Sequence, residues 1–386
     1  MDLASLLAIP SLHLRPPIDP LLAAAPSLLL LVLFLLPPSR FLSAALLPPL
    51  LLLALYPPLA YTTGDPGADF ALASTNFQRC LIALDRFLFT DNLETTFIKP
   101  GQTGAPKGWR RIWWAVENTM LQRGVGTKWE VRNVPKGGRK LSRVNFTITR
   151  LGRAIVAFLV FDIVSAYMQR GDYFKQRVQF VDLPFAERQF NSVCVGIASS
   201  VAMFILYDVI CAVSVGLGVW SPEESADLFG SPRVLTSLRN FWGSFWHQCF
   251  RRVFESPVHF LLTSLSLPRS SLPANLLALF IPFTLSALQH AYAVYAMNRT
   301  GLRTFLFFFI QPVGLIAEAL VQRMAKGLGV EMESSMARMA GTCWMVTWLL
   351  WAGPLFFDDL VQAGMWEKKP PFNLTEGLLS GNWANK

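Results

Sequence analysis

Long runs of apolar residues, separated by polar stretches, dominate the sequence. Several approach or exceed the roughly 20 apolar residues with which a helix crosses the hydrocarbon core of a bilayer. The predicted spans are Leu21–Leu36, Phe41–Tyr61, Leu151–Met168, Phe190–Trp220, Leu276–Met297, Leu302–Gln322 and Gly341–Leu360. The apolar piece Pro257–Leu267 is too short to cross and is expected to enter and return, or to lie at the interface. The pattern predicts an all-α polytopic membrane protein with about seven to nine transmembrane helices.

The composition supports the same class of protein. Hydrophobic residues make up 53% of the chain and charged residues 15%, whereas a soluble globular domain carries roughly 25% charged residues. Prolines at positions 48, 49, 57 and 58 fall within the second span, and membrane helices tolerate proline better than soluble helices do. The five cysteines form no CxxC pair, so neither a disulfide framework nor a metal site is expected.

The formal net charge of +9 is concentrated in one polar segment, Thr62–Thr149. Its basic residues include Arg110, Arg111, Arg123, Lys128, Arg132, Lys136, Arg139, Lys140 and Arg143. Basic residues beside membrane spans mark the cytosolic side, so a membrane-facing cytosolic surface is favoured over a nucleic-acid site. The tryptophans interleaved with these arginines are expected at the headgroup level: Trp109, Trp113, Trp114 and Trp129.

These patterns divide the chain into three parts. Residues 1–61 are predicted to be N-terminal transmembrane helices, residues 62–149 a basic, Trp-rich cytosolic or interfacial segment, and residues 150–386 the membrane core. Within the middle part, Phe77–Phe89 is expected to be helical because its leucines share one face. No internal repeat is evident, which disfavours a transporter built from inverted halves.

His290, one of only four histidines, lies inside the predicted span Leu276–Met297. On a helix, Ser286, Ala287 and Ala293 share its face. The small neighbours leave room for a substrate, and Ser286 is a candidate hydrogen-bond partner. Burial disfavours a charged imidazolium, and a neutral imidazole suits a proton acceptor. Ionisable residues inside membranes are costly and disproportionately functional, so a functional role is favoured over a purely structural one.

A second aromatic and basic stretch, Leu238–Pro257, reads LRNFWGSFWHQCFRRVFESP. It places Trp242 and Trp246 one turn apart, with His247 next in sequence. The stretch is too polar for an ordinary spanning helix, so a short helix at the interface or dipping into the protein interior is predicted. Such a helix can present His247 to a cavity, but a plain interfacial belt helix is the stronger alternative on these residues alone.

FWGSFWHQ, followed further along by SALQHAYAVY, resembles the wax-synthase-like branch of the membrane-bound O-acyltransferase superfamily. The segments RGVGTKWEVRNVP, NRTGLRTFLFFFIQPVGLIAEAL and WLLWAGPLFFDDLVQAGMW are similar to fungal members of that branch. The resemblance covers roughly Trp109 to Trp366. It implies that residues 150–386 form an acyltransferase core in which His290 is the buried catalytic residue. His247 matches an upstream polar position, where plant relatives carry Asn or Asp.

The resemblance implies transfer of an acyl group, with acetyl favoured over fatty acyl, from acyl-CoA to a hydroxyl of a hydrophobic acceptor such as a terpenoid or meroterpenoid. His290 is expected to be the general base, and His247 or a backbone donor near it to bind the thioester carbonyl. No metal or tightly bound cofactor is required. Candidate partners of the coenzyme A phosphates are Arg239, Arg251 and Arg252, and candidate substrate-binding residues are Trp242, Trp246 and Ser286. The acceptor is expected to enter from the lipid bilayer, in the endoplasmic reticulum membrane.

Other classes remain as alternatives. Plant members of the branch imply a wax synthase that esterifies long-chain alcohols. A proton-coupled transporter would also place a histidine at mid-membrane, but Asp162, Asp208 and Glu318 are its main further ionisable residues within the spans. A membrane prenyltransferase needs paired aspartate-rich motifs, and the chain has one adjacent aspartate pair, Asp358 and Asp359. Four scattered histidines do not suffice for a di-iron desaturase.

Overall fold

A computed structural model of the protein describes residues 9–36, 39–135, 141–366, 373–381 and 383. Lys136, Arg139 and Lys140 of the basic segment lie outside these ranges. The longer elements of regular structure in the described residues are helices. They are α1 (Pro20–Leu35), α2 (Arg40–Leu55), α3 (Pro66–Leu84), α4 (Trp109–Met120), α5 (Arg143–Arg170), α6 (Phe185–Gly216), α7 (Arg251–Ser264), α8 (Leu272–Asn298), α9 (Leu302–Phe309), α10 (Gln311–Gly327), α11 (Ser335–Gln362) and α12 (Leu374–Ser380).

Side-chain caps set where several helices begin. Asp19, Ser142, Ser271 and Ser334 precede α1, α5, α8 and α11, and each side-chain oxygen accepts a backbone N–H from the first turn. These N–H groups have no partner within the helix itself. The caps therefore hold the chain at the points where it turns into long apolar helices.

Six helical stretches in the described part of the chain are long and apolar enough to cross a bilayer. They are Phe41–Ala60, Arg143–Arg170, Phe185–Gly216, Leu272–Asn298, Leu302–Gly327 and Ser335–Gln362. Helix α1 is shorter, with 16 residues, and α7 has 14 residues, about 21 Å of helix. The prediction of an all-α, multi-pass membrane protein is confirmed, and α7 is indeed too short to span.

The helix that contains the third predicted span begins two turns before that span. Helix α5 begins at Arg143, not at Leu151, because the charge of Arg150 is neutralised inside the protein. Arg150 is 2% exposed, and its Nη1 donates to Oδ1 of Asp208 in α6 at 2.6 Å. Apolar side chains on α5 instead point outward, among them Val144, Ile148, Ile155 and Ile163. Polar groups inside and apolar groups outside are what a lipid environment selects.

The chain divides into two compact units. Unit 1 comprises residues 1–132 and 249–312, and unit 2 comprises residues 133–248 and 313–386. Unit 1 is thus built from two separated parts of the sequence, one of which is the N-terminal region. The boundaries at residues 61 and 149, drawn from the sequence pattern, stay a prediction.

Half of the four tryptophans that were expected at the headgroup level lie in the core of unit 1 instead. Trp109 and Trp113 of α4 are 74% and 42% exposed, as an interfacial position requires. Trp114 and Trp129 are buried instead. The indole N–H of Trp114 donates to the carbonyl of Phe97 at 2.6 Å, and the Trp129 ring meets the Phe97 ring edge-on at 5.4 Å. The headgroup prediction was therefore wrong for these two residues, which pack inside the protein.

Candidate active site

His290 lies on α8, two turns after Pro282. Its Nδ1 is 2.9 Å from the carbonyl oxygen of Ser286. A carbonyl oxygen only accepts, so Nδ1 must carry the proton in this bond. In the neutral imidazole the lone pair then lies on Nε2, which is the nitrogen able to take a proton. The predicted partner was correct as a residue, although its carbonyl makes the bond.

Two aromatic rings fix the plane of the His290 imidazole. The Phe308 ring of α9 stacks on it, with a centroid distance of 4.2 Å and an interplanar angle of 27°. The Phe70 ring of α3 lies 6.4 Å away at 50°. Ala287 and Ala293 are fully buried beside it, and their small side chains allow α3 and α9 to approach α8. A histidine clamped in this way presents one ring edge in a defined direction.

The turn between α8 and α9 brings Phe308 to this position. Gly301 has φ of +136°, a conformation that favours glycine. A Cβ there would also lie 2.6 Å from the carbonyl oxygen of Ala291. Both constraints exclude a side chain at position 301, so this glycine is what allows α9 to fold back along α8.

The N-terminal region anchors the C-terminal end of α8. Arg15 Nη1 donates to the carbonyl of Ala296 at 2.9 Å, and Arg15 Nη2 pairs with Asp69 at 3.2 Å. Arg299 Nη2 donates to the carbonyl of Leu59 at 2.7 Å. Cations at a helix C-terminus satisfy its last carbonyls and complement its dipole. The residues before α1 and after α2 therefore help to hold the helix that carries His290.

His247 lies in unit 2, on an irregular segment. One helical turn, Leu238–Asn240, continues into a π-helical turn, Phe241–Phe245. The chain becomes extended at Trp246, whose N–H donates to the Phe241 carbonyl at 2.7 Å. The stretch Leu238–Pro257 is thus helical in its first turns and again from Arg251, where α7 begins, but it is not one continuous helix. Short π-helical pieces are frequent at functional sites.

A carboxylate within the membrane span Leu302–Gly327 holds the beginning of this segment. Glu318 of α10 is 6% exposed, and it accepts the backbone N–H groups of Leu238 at 2.6 Å and Arg239 at 3.2 Å. On α11, Gly341 lies so close to the carbonyl of Thr236 that no side chain fits between them. The segment is fixed by its backbone to two helices of unit 2.

Aromatic side chains surround His247. Its ring lies 5.2 Å from the Trp246 ring and 6.5 Å from the Phe229 ring. Trp242 meets Trp246 nearly edge-on at 6.2 Å. The predicted pair Trp242 and Trp246 is therefore in contact and belongs to one aromatic cluster with His247.

The three predicted phosphate-binding arginines have different surroundings. Arg239 belongs to unit 2, where its N–H binds Glu318. Arg251 and Arg252 belong to unit 1, where they pair with Glu255 at 3.2 Å and with Asp85 at 2.9 Å. Each arginine of this pair thus already contacts a carboxylate.

Sequence reasoning missed three positioning residues: Phe308, Gly301 and Glu318. The first two lie in NRTGLRTFLFFF, where the glycine before an aromatic helix indicates a tight turn. Glu318 was noted only as an ionisable residue within a span. A lone carboxylate in an apolar helix indicates a specific buried partner, but it does not indicate that the partner is a pair of backbone N–H groups.

Two other carboxylates within the spans, Asp162 and Asp208, have structural partners. Asp162 accepts the backbone N–H groups of Leu374 and Thr375 at 3.0 and 2.7 Å, and Asp208 pairs with Arg150. Glu318 is also bound to backbone N–H groups, so all three carboxylates have structural roles. A proton relay along them is therefore disfavoured.

Comparisons with known proteins indicate the family to which the chain belongs. The fold is that of a multi-pass helical membrane protein. Residues 225–310, which contain His247 and His290, match the membrane bound O-acyl transferase family. The acetyltransferase ple2 of Rhodocybe pseudopiperita is 29% identical over 333 residues, covering 83% of this chain and 86% of that protein.

Two further relatives of this chain are also named acetyltransferases. The acetyltransferase eriL of Hericium erinaceus is 26% identical over 344 residues, covering 86% of this chain and 88% of that protein. The acetyltransferase ataH of Aspergillus terreus is 30% identical over 258 residues, covering 61% of this chain and 84% of that protein. The chain belongs to the membrane bound O-acyl transferase family. The predicted family and enzyme class, an O-acyltransferase, are confirmed.

Proposed function

We propose that this protein transfers an acetyl group from acetyl-CoA to a hydroxyl group of a hydrophobic acceptor. The relatives described above are named acetyltransferases, which supports acetyl over a fatty acyl group. The observation that carries the proposal is the bond from His290 Nδ1 to the Ser286 carbonyl. It sets the tautomer in which Nε2 can accept the proton of an attacking alcohol.

In the proposed reaction the acceptor oxygen attacks the thioester carbonyl carbon while its proton passes to Nε2 of His290. The tetrahedral intermediate then collapses, the C–S bond breaks, and the coenzyme A thiolate takes the proton from the imidazolium. The products are the ester and the free coenzyme A thiol. A thioester is already activated, so the enzyme needs no covalent intermediate of its own.

His247 is proposed to donate a hydrogen bond to the developing oxyanion, or to place a nearby backbone N–H that does so. Trp242 and Trp246 are proposed to line the path of the substrate, together with Ser286. The cluster of indole rings supports this role because it offers apolar surface beside the histidine. The coenzyme A phosphates are proposed to contact arginines among Arg239, Arg251 and Arg252.

The proposed acceptor is a terpenoid or meroterpenoid alcohol of fungal secondary metabolism. The support is the fungal origin of the relatives, which are named acetyltransferases, and the resemblance of the chain to fungal members of the wax-synthase-like branch. Such an alcohol partitions into lipid and would enter from the bilayer. The endoplasmic reticulum membrane is the proposed location.

The test is a donor competition in microsomes that express the chain, with His290→Gln microsomes as the blank. Labelled acetyl-CoA and palmitoyl-CoA are supplied with a panel of terpenoid and long-chain alcohols. We expect an acetyl ester of a polycyclic alcohol that the blank lacks. A palmitoyl ester of a linear alcohol as the main product would instead make the protein a wax synthase and overturn the acetyl proposal.

A further inference from the structure

A fully buried amide, the side chain of Gln289, lies directly before His290 on α8. It belongs to the stretch Leu272–Asn298, which is long and apolar enough to cross a bilayer. Its Nε2 donates to Oγ of Ser74 on α3 at 3.0 Å. Its Oε1 is buried and has no hydrogen-bond partner among the described residues. Polar side chains inside membranes are costly and disproportionately functional, so this amide calls for a functional explanation.

The amide of Gln289 adds little net stability to the contact between α3 and α8. Interhelical hydrogen bonds in membranes contribute only modestly to stability, and a buried oxygen without a partner keeps its desolvation penalty. A leucine, which has a similar size, would avoid that penalty. What the amide supplies is therefore a defined geometry rather than stability.

Alanines form the apolar part of the contact between α3 and α8. Ala73 of α3 lies in one buried cluster with Ala293 and Ala296 of α8. Small side chains let two helices approach closely, but apolar contacts have no preferred direction. The two helices can therefore turn slightly against each other without losing these contacts. The bond from Gln289 to Ser74 is directional, and it forms only at one rotation of α8.

The rotation of α8 about its axis decides where Nε2 of His290 lies. The bond from Nδ1 of His290 to the Ser286 carbonyl lies within α8, so it turns with the helix and cannot fix that rotation. Side-chain ends lie about 5–6 Å from a helix axis, so a rotation of about 10° moves Nε2 by about 1 Å. A displacement of that size can slow a reaction by about 10²-fold.

We propose that Gln289 is a positioning residue for the acetyl transfer, with Ser74 as its partner. The bond between them sets the rotation of α8 at the level of His290 and so places Nε2 for the proton transfer. This inference rests on the proposed function and deepens it, because it assigns the orientation of the base to two residues that act only through His290.

The first test measures kcat, KM and thermal unfolding for Gln289→Leu and Ser74→Ala. We expect kcat to fall by about 10–100-fold in each, with KM for both substrates nearly unchanged. The unfolding midpoint of Gln289→Leu should equal or exceed that of wild type, because the oxygen without a partner is removed. The double variant should lose no more kcat than the stronger single variant, since both remove the same bond. Ser74→Thr keeps the hydroxyl and should retain most of the activity.

Tyr292→Phe is the matched control. The Tyr292 hydroxyl also joins α8 to another helix, since it donates to the Leu55 carbonyl of α2 at 2.6 Å. The Tyr292 ring also packs against Phe77, with a centroid distance of 5.7 Å, and this contact remains when the hydroxyl is lost. Tyr292→Phe should therefore lower the unfolding midpoint and leave kcat close to that of wild type.

Three results of this first test would overturn the proposal. One is an equal loss of kcat in Tyr292→Phe and Gln289→Leu, which would make the Gln289 bond one of several equivalent links between helices. Another is wild-type kcat in both Gln289→Leu and Ser74→Ala. The third is a double variant in which the two losses of kcat multiply, because the residues would then act independently.

A labelling experiment tests the same placement without acetyl transfer. Diethyl pyrocarbonate modifies the unprotonated nitrogen of a neutral imidazole, and mass spectrometry of the purified full chain gives the rate at each histidine. Gln289→Leu and Ser74→Ala should raise the rate at His290, while the exposed His13 keeps its wild-type rate. Unchanged labelling of His290 in both variants would overturn the proposal. A raised rate would support it even if wild type transferred no acetyl group, which separates its failure from that of the proposed reaction.

Discussion

The two histidines lie in contrasting surroundings. His290 is on a regular 27-residue helix, where a backbone carbonyl one turn earlier sets its tautomer and a phenylalanine ring sets its plane. His247 follows a π-helical turn, and its neighbours are indole and phenyl rings. In the first region a side chain is immobilised directly. In the second, the backbone at the beginning of the segment is immobilised, by Glu318 and Gly341.

The difference indicates a division of labour. A proton acceptor needs one defined nitrogen at one defined place, which a backbone bond and a stacked ring supply. A group that binds or orients a substrate gains from an aromatic wall that fits an apolar molecule. Replacements in the two regions should therefore affect kcat and KM differently.

The largest effect is expected from His290→Ala. Loss of a general base lowers kcat by about 10²–10⁴-fold. His247→Ala should lower kcat/KM by about 10–10³-fold, which is at or below the effect of removing one hydrogen-bond donor to an oxyanion. Acetyl transfer in microsomes, normalised to the amount of protein, measures both, with His13→Ala as the control. Equal activity of His290→Ala and wild type would show that His290 is not the general base.

Glu318→Leu should have the next largest effect. It leaves the N–H groups of Leu238 and Arg239 without an acceptor inside the protein, which costs about 1–3 kcal/mol per buried group. We expect a lower midpoint of thermal unfolding and a higher KM for the acceptor. Glu318→Gln keeps one acceptor oxygen and should recover part of both, and Glu331→Gln, on an exposed residue, should change neither. A KM unchanged in Glu318→Leu would show that the clamp does not position the His247 segment.

A smaller effect is expected from Gly301→Ala. The left-handed backbone and the contact with Ala291 should cost about 1–3 kcal/mol, and the displaced α9 should loosen the Phe308 ring from His290. The predicted signature is a lower kcat with a nearly constant KM. Gly152→Ala is the matched control because no heavy atom lies within 4 Å of its new Cβ. Equal loss in both variants would mean that the turn has no special role.

Cys249→Ala should have the smallest effect, although this residue follows His247 by two positions. Burial raises the pKa of the Cys249 thiol, so the thiolate that acts as a nucleophile is scarce near neutral pH. Activity within about twofold of wild type is expected in the same microsomal assay. A loss comparable to that of His290→Ala would point to a thiol intermediate and contradict direct transfer.

The sequence predicted what depends on one element at a time. Apolar run length located most of the spans, and helical spacing brought Ser286 to His290. What it missed depends on contacts between elements. The Phe308 stack requires the turn at Gly301, Trp114 and Trp129 are buried by residues distant in sequence, and the start of α5 depends on the pairing of Arg150 with Asp208. The periodicity of apolar residues shows which residues lie on the same face of a helix. It does not show which other element packs against that face.

The bond from Arg15 to the carbonyl of Ala296 joins residues 281 positions apart. During synthesis, Arg15 emerges on the order of tens of seconds before its partner, at typical translation rates. The N-terminal helices must therefore remain in the membrane without their final packing until α8 is inserted. A truncated transcript that starts after α2 would still encode His247 and His290, yet the end of the newly made α8 would lack its bond from Arg15.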